Sequence, residues 1–397
     1  MRIVSIVGAR PQFVKLAPIC RAIEAHNRAA DVRVRHVIVH TGQHYDPELS
    51  DIFFDELEIP KPDINLGVGS GPHGLQTGRM LEQFERYLLE TKPDAVIVYG
   101  DTNSTIAGAL VAVKQHVPVA HVEAGLRSFN RLMPEEINRI ATDHVADVLY
   151  APTRTAMTLL AREGLAHRAV LTGDVGYDAV LFNRGLAERK SDALARLGLT
   201  PQRYAVLTVH RSENTESGKL IELMGWLGKV ASEDMKIVFP IHPRTARLLP
   251  RDPARFNQFP GVRLIKPVGF LDMLQLVSNA RMVLTDSGGV QKEAFFLDTP
   301  CITLREETEW TETVEAGANT LAGIDGRRIL DAAQRVRSAV PAADAQSYSQ
   351  RAGAPFGSGD ASMRIVADLV RRWGSAAESK SATVEQPAPA LAASAAP

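Results

Sequence analysis

Carboxylates recur where apolar runs of strand length end. Gly100-Asp101-Thr102-Asn103 follows one run, His121-Val122-Glu123-Ala124-Gly125-Leu126-Arg127 closes the next, and Met133-Pro134-Glu135-Glu136-Ile137-Asn138-Arg139 opens a helical pattern soon after. Acids so placed, if they converge on one crevice, can take and give protons on opposite faces of a substrate. Each has a plainer account as well. Asp101 can cap the helix that follows it, Glu123 can pair with Arg127, and Glu135 and Glu136 can complement the positive end of a helix.

Groups suited to an anion occupy similar positions. Gly8-Ala9-Arg10-Pro11-Gln12-Phe13-Val14-Lys15 offers a tight turn, a proline fit for a first helical position and two cations near a helix start, which suits phosphate; a plain strand-to-helix turn with solvated cations is the alternative. His210-Arg211 and His242-Pro243-Arg244 follow consecutive apolar runs in the second half, and imidazole beside guanidinium favours an anionic ligand over two unrelated structural histidines. Thr285-Asp286-Ser287-Gly288-Gly289-Val290-Gln291-Lys292-Glu293 is sharper. Ser287 can cap a helix, Gly288 and Gly289 let its free N–H groups approach a pyrophosphate, and Glu293 can accept from ribose hydroxyls. Packing alone also selects such a glycine turn, and no GxxxxGKS or GxxxxGKT loop occurs.

These segments need a scaffold that gathers strand ends. Apolar runs at 2–7, 32–40, 95–99, 117–122, 148–151 and 169–172, then again at 204–209, 236–240, 262–265, 282–285 and 300–304, alternate with helical patterns, the signature of parallel α/β architecture. Ligands of open parallel sheets sit beyond the carboxyl ends of the strands, where the segments above fall. The restart at 204 predicts two wound sheets with a hinge near 174–183: a first domain over 1–176, a second over 177–358, and a helix at 359–374 returning to the first. The tail at 375–397 holds nine Ala, four Ser and three Pro, too little large apolar surface to offset the entropy of ordering, and reads as disordered.

The 397 residues carry 45 basic and 46 acidic side chains, a balance with no overall field for a polyanion, so no nucleic acid is expected as a partner. No apolar run approaches the roughly 18 residues of a membrane span, and Met1 to Val7 runs directly into Gly8 as a first strand rather than a signal peptide. Cys20 and Cys301 are isolated, which argues against a disulfide framework and a structural zinc site. A cytoplasmic protein without membrane attachment is expected.

In order and spacing, Gly8-Ala9-Arg10-Pro11, Gly100-Asp101-Thr102-Asn103, the His121 to Arg127 segment, Pro134-Glu135-Glu136, His210-Arg211, Thr285-Asp286-Ser287-Gly288-Gly289, and Leu304-Arg305 with Thr308-Glu309 resemble the non-hydrolysing UDP-N-acetylglucosamine 2-epimerases. The resemblance implies an α/β fold of two Rossmann-like domains of glycosyltransferase-B type, with the active site in the interdomain cleft. It also implies a homodimer, no cofactor and no metal, and interconversion of UDP-GlcNAc and UDP-ManNAc for surface-polysaccharide precursors. It assigns catalysis to Asp101, Glu123, Glu135 and His210, diphosphate contacts to Arg10, Ser287, Gly288 and Gly289, and ribose binding to Glu293. Lys15, Arg139, His242 and Arg305 complete the expected UDP-sugar set, with Phe270 and Met273 covering uracil. In the implied chemistry, UDP leaves C1 as a carboxylate takes the acidified C2 hydrogen. The resulting 2-acetamidoglucal then regains UDP with protonation from the other face.

Two segments depart from the family pattern. Trp310 stands where many members have Arg, and with Phe295-Phe296 it looks more like members acting on UDP-2,3-diacetamido-2,3-dideoxy-glucuronate; a packing role is the alternative. Gln43-His44-Tyr45-Asp46 lacks the second Gln that helps form an allosteric UDP-GlcNAc site in regulated bacterial members, and an ionised Asp46 repels phosphate. A UDP-sugar-dependent retaining glycosyltransferase is the remoter reading. It would require an acceptor and would not need three carboxylates in the first half.

Overall fold

A computed structural model describes residues 1–43, 54, 56–215, 218–232, 234–241, 243–246, 248, 259–339 and 346–384. Two wholly parallel sheets organise them. The first runs β3-β2-β1-β4-β5-β6-β7, from β1 (Arg2–Val7), β2 (Arg35–His40), β3 (Ile64–Asn65), β4 (Ala95–Tyr99), β5 (Val119–Val122), β6 (Val148–Ala151) and β7 (Ala169–Leu171). The second runs β10-β9-β8-β11-β12-β13, from β8 (Tyr204–Thr208), β9 (Lys236–Pro240), β10 (Val262–Ile265), β11 (Met282–Thr285), β12 (Cys301–Thr303) and β13 (Asn319–Leu321). Helices cover both faces, so central strands such as β4 are buried along their whole length and read as continuous apolar runs.

Strand order reverses between β1 and β4 in one sheet and between β8 and β11 in the other. Such switch points open a crevice at the strand ends because successive helices leave to opposite faces. The residues that follow these four strands are Gly8 to Arg10, Gly100-Asp101, His210-Arg211 and Asp286-Ser287.

The chain crosses between the sheets in two places that are bonded to each other. Asp174 N–H donates to the Phe356 carbonyl at 2.9 Å, and the Asp178 carboxylate accepts from Ala361 and Ser362 N–H at 3.2 and 2.7 Å. Gly173 has φ +91°, and a Cβ there would lie 2.9 Å from the Phe356 oxygen, so only glycine allows this approach. The last helix, Ala361–Val384, then packs on the helices Arg10–Ala29 and Val175–Lys190, and Tyr150 donates to Asp368 at 3.0 Å. That helix runs into the stretch expected to be disordered. Alanine has the highest helix propensity, so a helix nucleated by packing can continue into Ala-rich sequence.

Two strands escaped the sequence pattern. β3 and β13 are two- and three-residue edge strands, shorter than any window in which periodicity shows. Among the described residues no helix is long and apolar enough to cross a membrane.

Candidate active site

The turns after β1 and β4 are tied to each other. Buried Gln12 accepts from Gly8 and Ala9 N–H at 2.8 and 3.0 Å and donates to the Tyr99 carbonyl and Thr105 Oγ1, both at 3.1 Å. A Cβ on Gly8 would sit 1.9 Å from Thr41 Oγ1, so this glycine serves close packing. Those two N–H groups are therefore satisfied within the turn itself.

Thr102, not Asp101, caps the helix Asn103–Lys114, accepting from Thr105 N–H. Asp101 is thereby free to place Oδ2 2.9 Å from Arg139 Nη1, while its Oδ1 has no hydrogen-bond partner among the described residues. Burial pushes the Asp101 carboxyl above the usual carboxylate range, against the pull of Arg139 and Lys15, and Glu123 and Glu135 add to the rise.

Glu123 stands one strand away in the opposite setting. Its backbone is left-handed, with φ +73°, a conformation its surroundings must hold. Lys15 Nζ lies 3.1 Å from Oε1 and Lys292 Nζ 2.7 Å from Oε2. Burial by itself would raise this carboxyl; the two ammonium groups outweigh it and hold it at about 2. Arg127, the partner that spacing suggested, is taken instead by Asp143 and Glu163, at 2.8 and 2.7 Å. Asp143 also meets His121 Nδ1 at 2.7 Å and accepts from Gly125 N–H at 3.1 Å, and His121 Nε2 reaches the Gly100 carbonyl at 2.7 Å. One buried His–Asp pair thus ties the turn carrying Asp101 to the turn carrying Glu123.

Of the two glutamates opening the helix Pro134–Val145, Glu136 is buried and accepts from Ser128 N–H and Oγ–H, Phe129 N–H and Arg139 Nε at 2.9 to 3.2 Å, which organises the preceding loop. Glu135 is exposed, within electrostatic reach of Asp101.

The second wall is built from β8, β11 and β12. Asp286, fully buried, accepts from His210 N–H, Arg211 N–H and Asn214 Nδ2 and sits 2.9 Å from His210 Nδ1. Nε2 of the half-exposed His210 has no partner among the described residues. Burial would raise Asp286, but its bonds to His210 and neighbouring N–H groups hold it below the usual range. Ser287 caps the helix Gly288–Phe296 through Val290 N–H, and the first turn of this helix starts with the small residues Gly288 and Gly289. Buried Glu309 receives Arg305 at 3.0 and 3.1 Å and lies 3.9 Å from Arg139 and 4.0 Å from Arg211. A chain of charges therefore crosses the cleft from Asp101 through Arg139 and Glu309 to Arg211. Burial raises the Glu293 carboxyl while Arg10, Lys292 and Lys15, all near it, oppose the rise.

Arg10, Lys15, Asp101, Glu123, Arg139 and Glu293 are thus gathered at one cleft, with His210 and Ser287 to Gly289 on its other wall. Arg305 has both terminal nitrogens on Glu309, so it positions that carboxylate. Phe270 is 4% exposed and Met273 packs against the same core, so the Phe270 ring does not stand open to cover a base. Trp310 is 5% exposed and packs 6.0 Å from the Phe356 ring, which favours the packing account. His242 and Asp46 lie outside the described residues, and with them the expectation about a regulatory site. Lys292, Asp174, Asp286 and Glu309 received no site role from sequence. Asp286 had a signal, a carboxylate directly after a strand; Lys292 and Asp174 meet at 2.6 Å across 118 residues and had none.

A family model described as UDP-N-acetylglucosamine 2-epimerase matches residues 26–370. A UDP-N-acetylglucosamine 2-epimerase homolog of Methanococcus maripaludis is 48% identical over 369 residues, 92% of this chain and 98% of that one. The UDP-2,3-diacetamido-2,3-dideoxy-D-glucuronate 2-epimerase of Pseudomonas aeruginosa is 45% identical, over 94% of this chain and 100% of its own. The crystal structure of Methanocaldococcus jannaschii UDP-GlcNAc 2-epimerase in complex with UDP-GlcNAc and UDP superposes with a TM-score of 0.82 at 43% identity, covering 94% of this chain and 100% of that one.

Proposed function

The chain belongs to the UDP-N-acetylglucosamine 2-epimerase family and is an isomerase, and on that premise we propose that it interconverts UDP-GlcNAc and UDP-ManNAc by elimination and re-addition of UDP. The observation that carries the reading is the contrast between Asp101 and Glu123. Two carboxylates pushed apart in basicity suit one group that moves a proton and one that stays charged. Asp101, with a free oxygen and a raised carboxyl, takes and returns the C2 proton on one face. Glu123 remains an anion that holds Lys15 in place. On the other wall His210, its Nδ1 fixed by Asp286, presents Nε2 as the acid and base for the opposite face, the arrangement by which a carboxylate sets an imidazole's tautomer. Arg10, Lys15 and the helix start at Ser287-Gly288-Gly289 stabilise the charge that develops on the departing diphosphate, and Glu293 receives the ribose. Residues 1–176 and 177–358 act as the two domains closing on the substrate.

The Pseudomonas relative favours a second reading, the diacetamido-uronate sugar, by its 45% identity over nearly all of both chains. NMR of the purified enzyme in D2O separates the two. UDP-GlcNAc should yield UDP-ManNAc carrying deuterium at C2; turnover of the diacetamido-uronate alone would reassign the sugar, and product retaining its C2 hydrogen would overturn elimination. Incubation without an acceptor also excludes transfer. The family resemblance extends this reading to a cytoplasmic homodimer supplying a surface polysaccharide, and light scattering tests the assembly.

A further inference from the structure

Lys292 stands on the helix Gly288–Phe296 of the second half, yet both carboxylates its ammonium meets belong to the first. Nζ lies 2.7 Å from Glu123 Oε2 and 2.6 Å from Asp174 Oδ2, over the Trp310 ring at 3.9 Å, with 7% of the side chain exposed. Asp174 caps the helix Val175–Lys190, where the chain crosses between the sheets, by accepting from Gly176 N–H at 2.6 Å. The indole wall leaves Lys292 in a dry setting, where a buried ammonium persists only with anions in contact, and Asp174 and Glu123 hold its ionisation above the ordinary lysine range despite burial.

We propose that Lys292 is a positioning residue: by occupying the second oxygen of Glu123 it keeps that carboxylate a fixed anion and leaves Asp101 as the carboxylate that moves the proton. The proposal rests on the functional reading above. Each Glu123 oxygen has one cation, Lys15 from the helix Arg10–Ala29 and Lys292 from the helix Gly288–Phe296. The other charged groups around this pair are Asp101 beyond β4, Asp174 at the crossing and Glu293 beside Lys292 on its own helix. Removing Lys292 withdraws one of two cations from Glu123 and leaves the Asp101 and Asp174 carboxylates nearby. Glu123 then titrates nearer the ordinary carboxylate range and competes with Asp101 for protons. Because the contact spans the two halves, it is made only when the second half is seated against the first, so Glu123 is completed by closure.

The test compares Lys292→Met and Lys292→Arg in the full-length protein. The Met variant should lose at least tenfold in kcat with KM changed less than threefold, and the acid limb of its kcat profile should steepen from a one-proton to a two-proton fall as Glu123 joins Asp101 in titrating. The Arg variant, which keeps the charge, should retain a one-proton limb. A uniform loss at every pH with an unchanged limb would mean that Lys292 only supports the fold, and would overturn the proposal. A second readout needs no turnover: melting temperatures of Lys292→Met, Glu123→Gln and the double variant. The double variant should lose clearly less than the sum of the two single losses. Strict additivity would overturn the pairing itself, whereas coupling in a wild-type enzyme inactive on either UDP-sugar would instead fault the functional reading.

Discussion

The switch points of the two sheets are alike in topology and unlike in where their backbone donors go. Beside β1 and β4 the N–H groups are consumed internally, by Gln12 at Gly8 and Ala9 and by the Thr102 cap, and the cleft is lined by charged side chains. Beside β8 and β11 the His210 and Arg211 N–H groups are likewise taken, by Asp286, but the helix Gly288–Phe296 begins with Gly288 and Gly289, whose N–H groups have no acceptor among the described residues. The same crevice architecture thus carries the paired carboxylates Asp101 and Glu123 in one sheet and a glycine-led helix start in the other. Topology places a site; the fate of the N–H groups and the pairing of charges decide its chemistry.

The sharpest way to break this comparison is Asp101→Asn, which should lower kcat by roughly a hundredfold to ten-thousandfold while UDP affinity stays within about threefold, the mark of a group needed for proton transfer and not for binding. Loss of UDP affinity as large as the loss of rate would place Asp101 on the anion-receiving side instead.

Glu123→Gln tests the charged core of the first wall. Breaking a buried ion pair costs about 3–5 kcal/mol at neutral pH. Since the folded carboxyl is held at about 2 against an ordinary 4.5, its stabilisation is fully present above pH 4.5 and is lost as the pH falls toward 2. Urea unfolding of wild type and variant at pH 7, 4.5 and 3 should therefore show a gap that narrows with acid; a constant gap would show that Glu123 is not held ionised. Asp101 and Glu293, whose carboxyls are raised, act in the opposite sense, and their burial disfavours the fold once the pH exceeds the ordinary carboxylate range.

On the second wall, Ser287→Ala should weaken UDP binding by about tenfold and lower stability by about 1 kcal/mol through the lost cap, with kcat little changed. Calorimetry with UDP decides it, and unchanged affinity would remove the helix start from the anion site. The smallest effect belongs away from both walls. Tyr150→Phe deletes one bond to Asp368 and should cost about 0.5–1.5 kcal/mol in unfolding with turnover intact. A clear loss of activity would show that seating of the last helix reaches the cleft.

Much was legible in the sequence because its signals are local. Hydrophobic period marks strands and helices, and residues directly after strands in a parallel fold are forced to one edge, so the Asp101, Glu123 and Ser287 segments could be named as site material from spacing. Ser287 as a cap is likewise a local property. Other assignments depended on which of two local partners wins, and there spacing was blind. Asp101 yields the cap to Thr102 and turns to Arg139, and Glu123 leaves Arg127 to Asp143, both outcomes shaped by groups that the helix Pro134–Val145 brings in from further along the chain.

Composition and pattern by themselves determined the α/β class, the doubling of the sheet and the strand ends at which chemistry would gather, because burial of apolar faces follows periodicity along the chain. Only the tertiary structure decided the charge states at the centre. The energy of a carboxylate depends on which cations and how little water surround it, and the groups concerned, Lys15, Glu123, Asp174 and Lys292, are distant in sequence and meet only when the two halves close on each other.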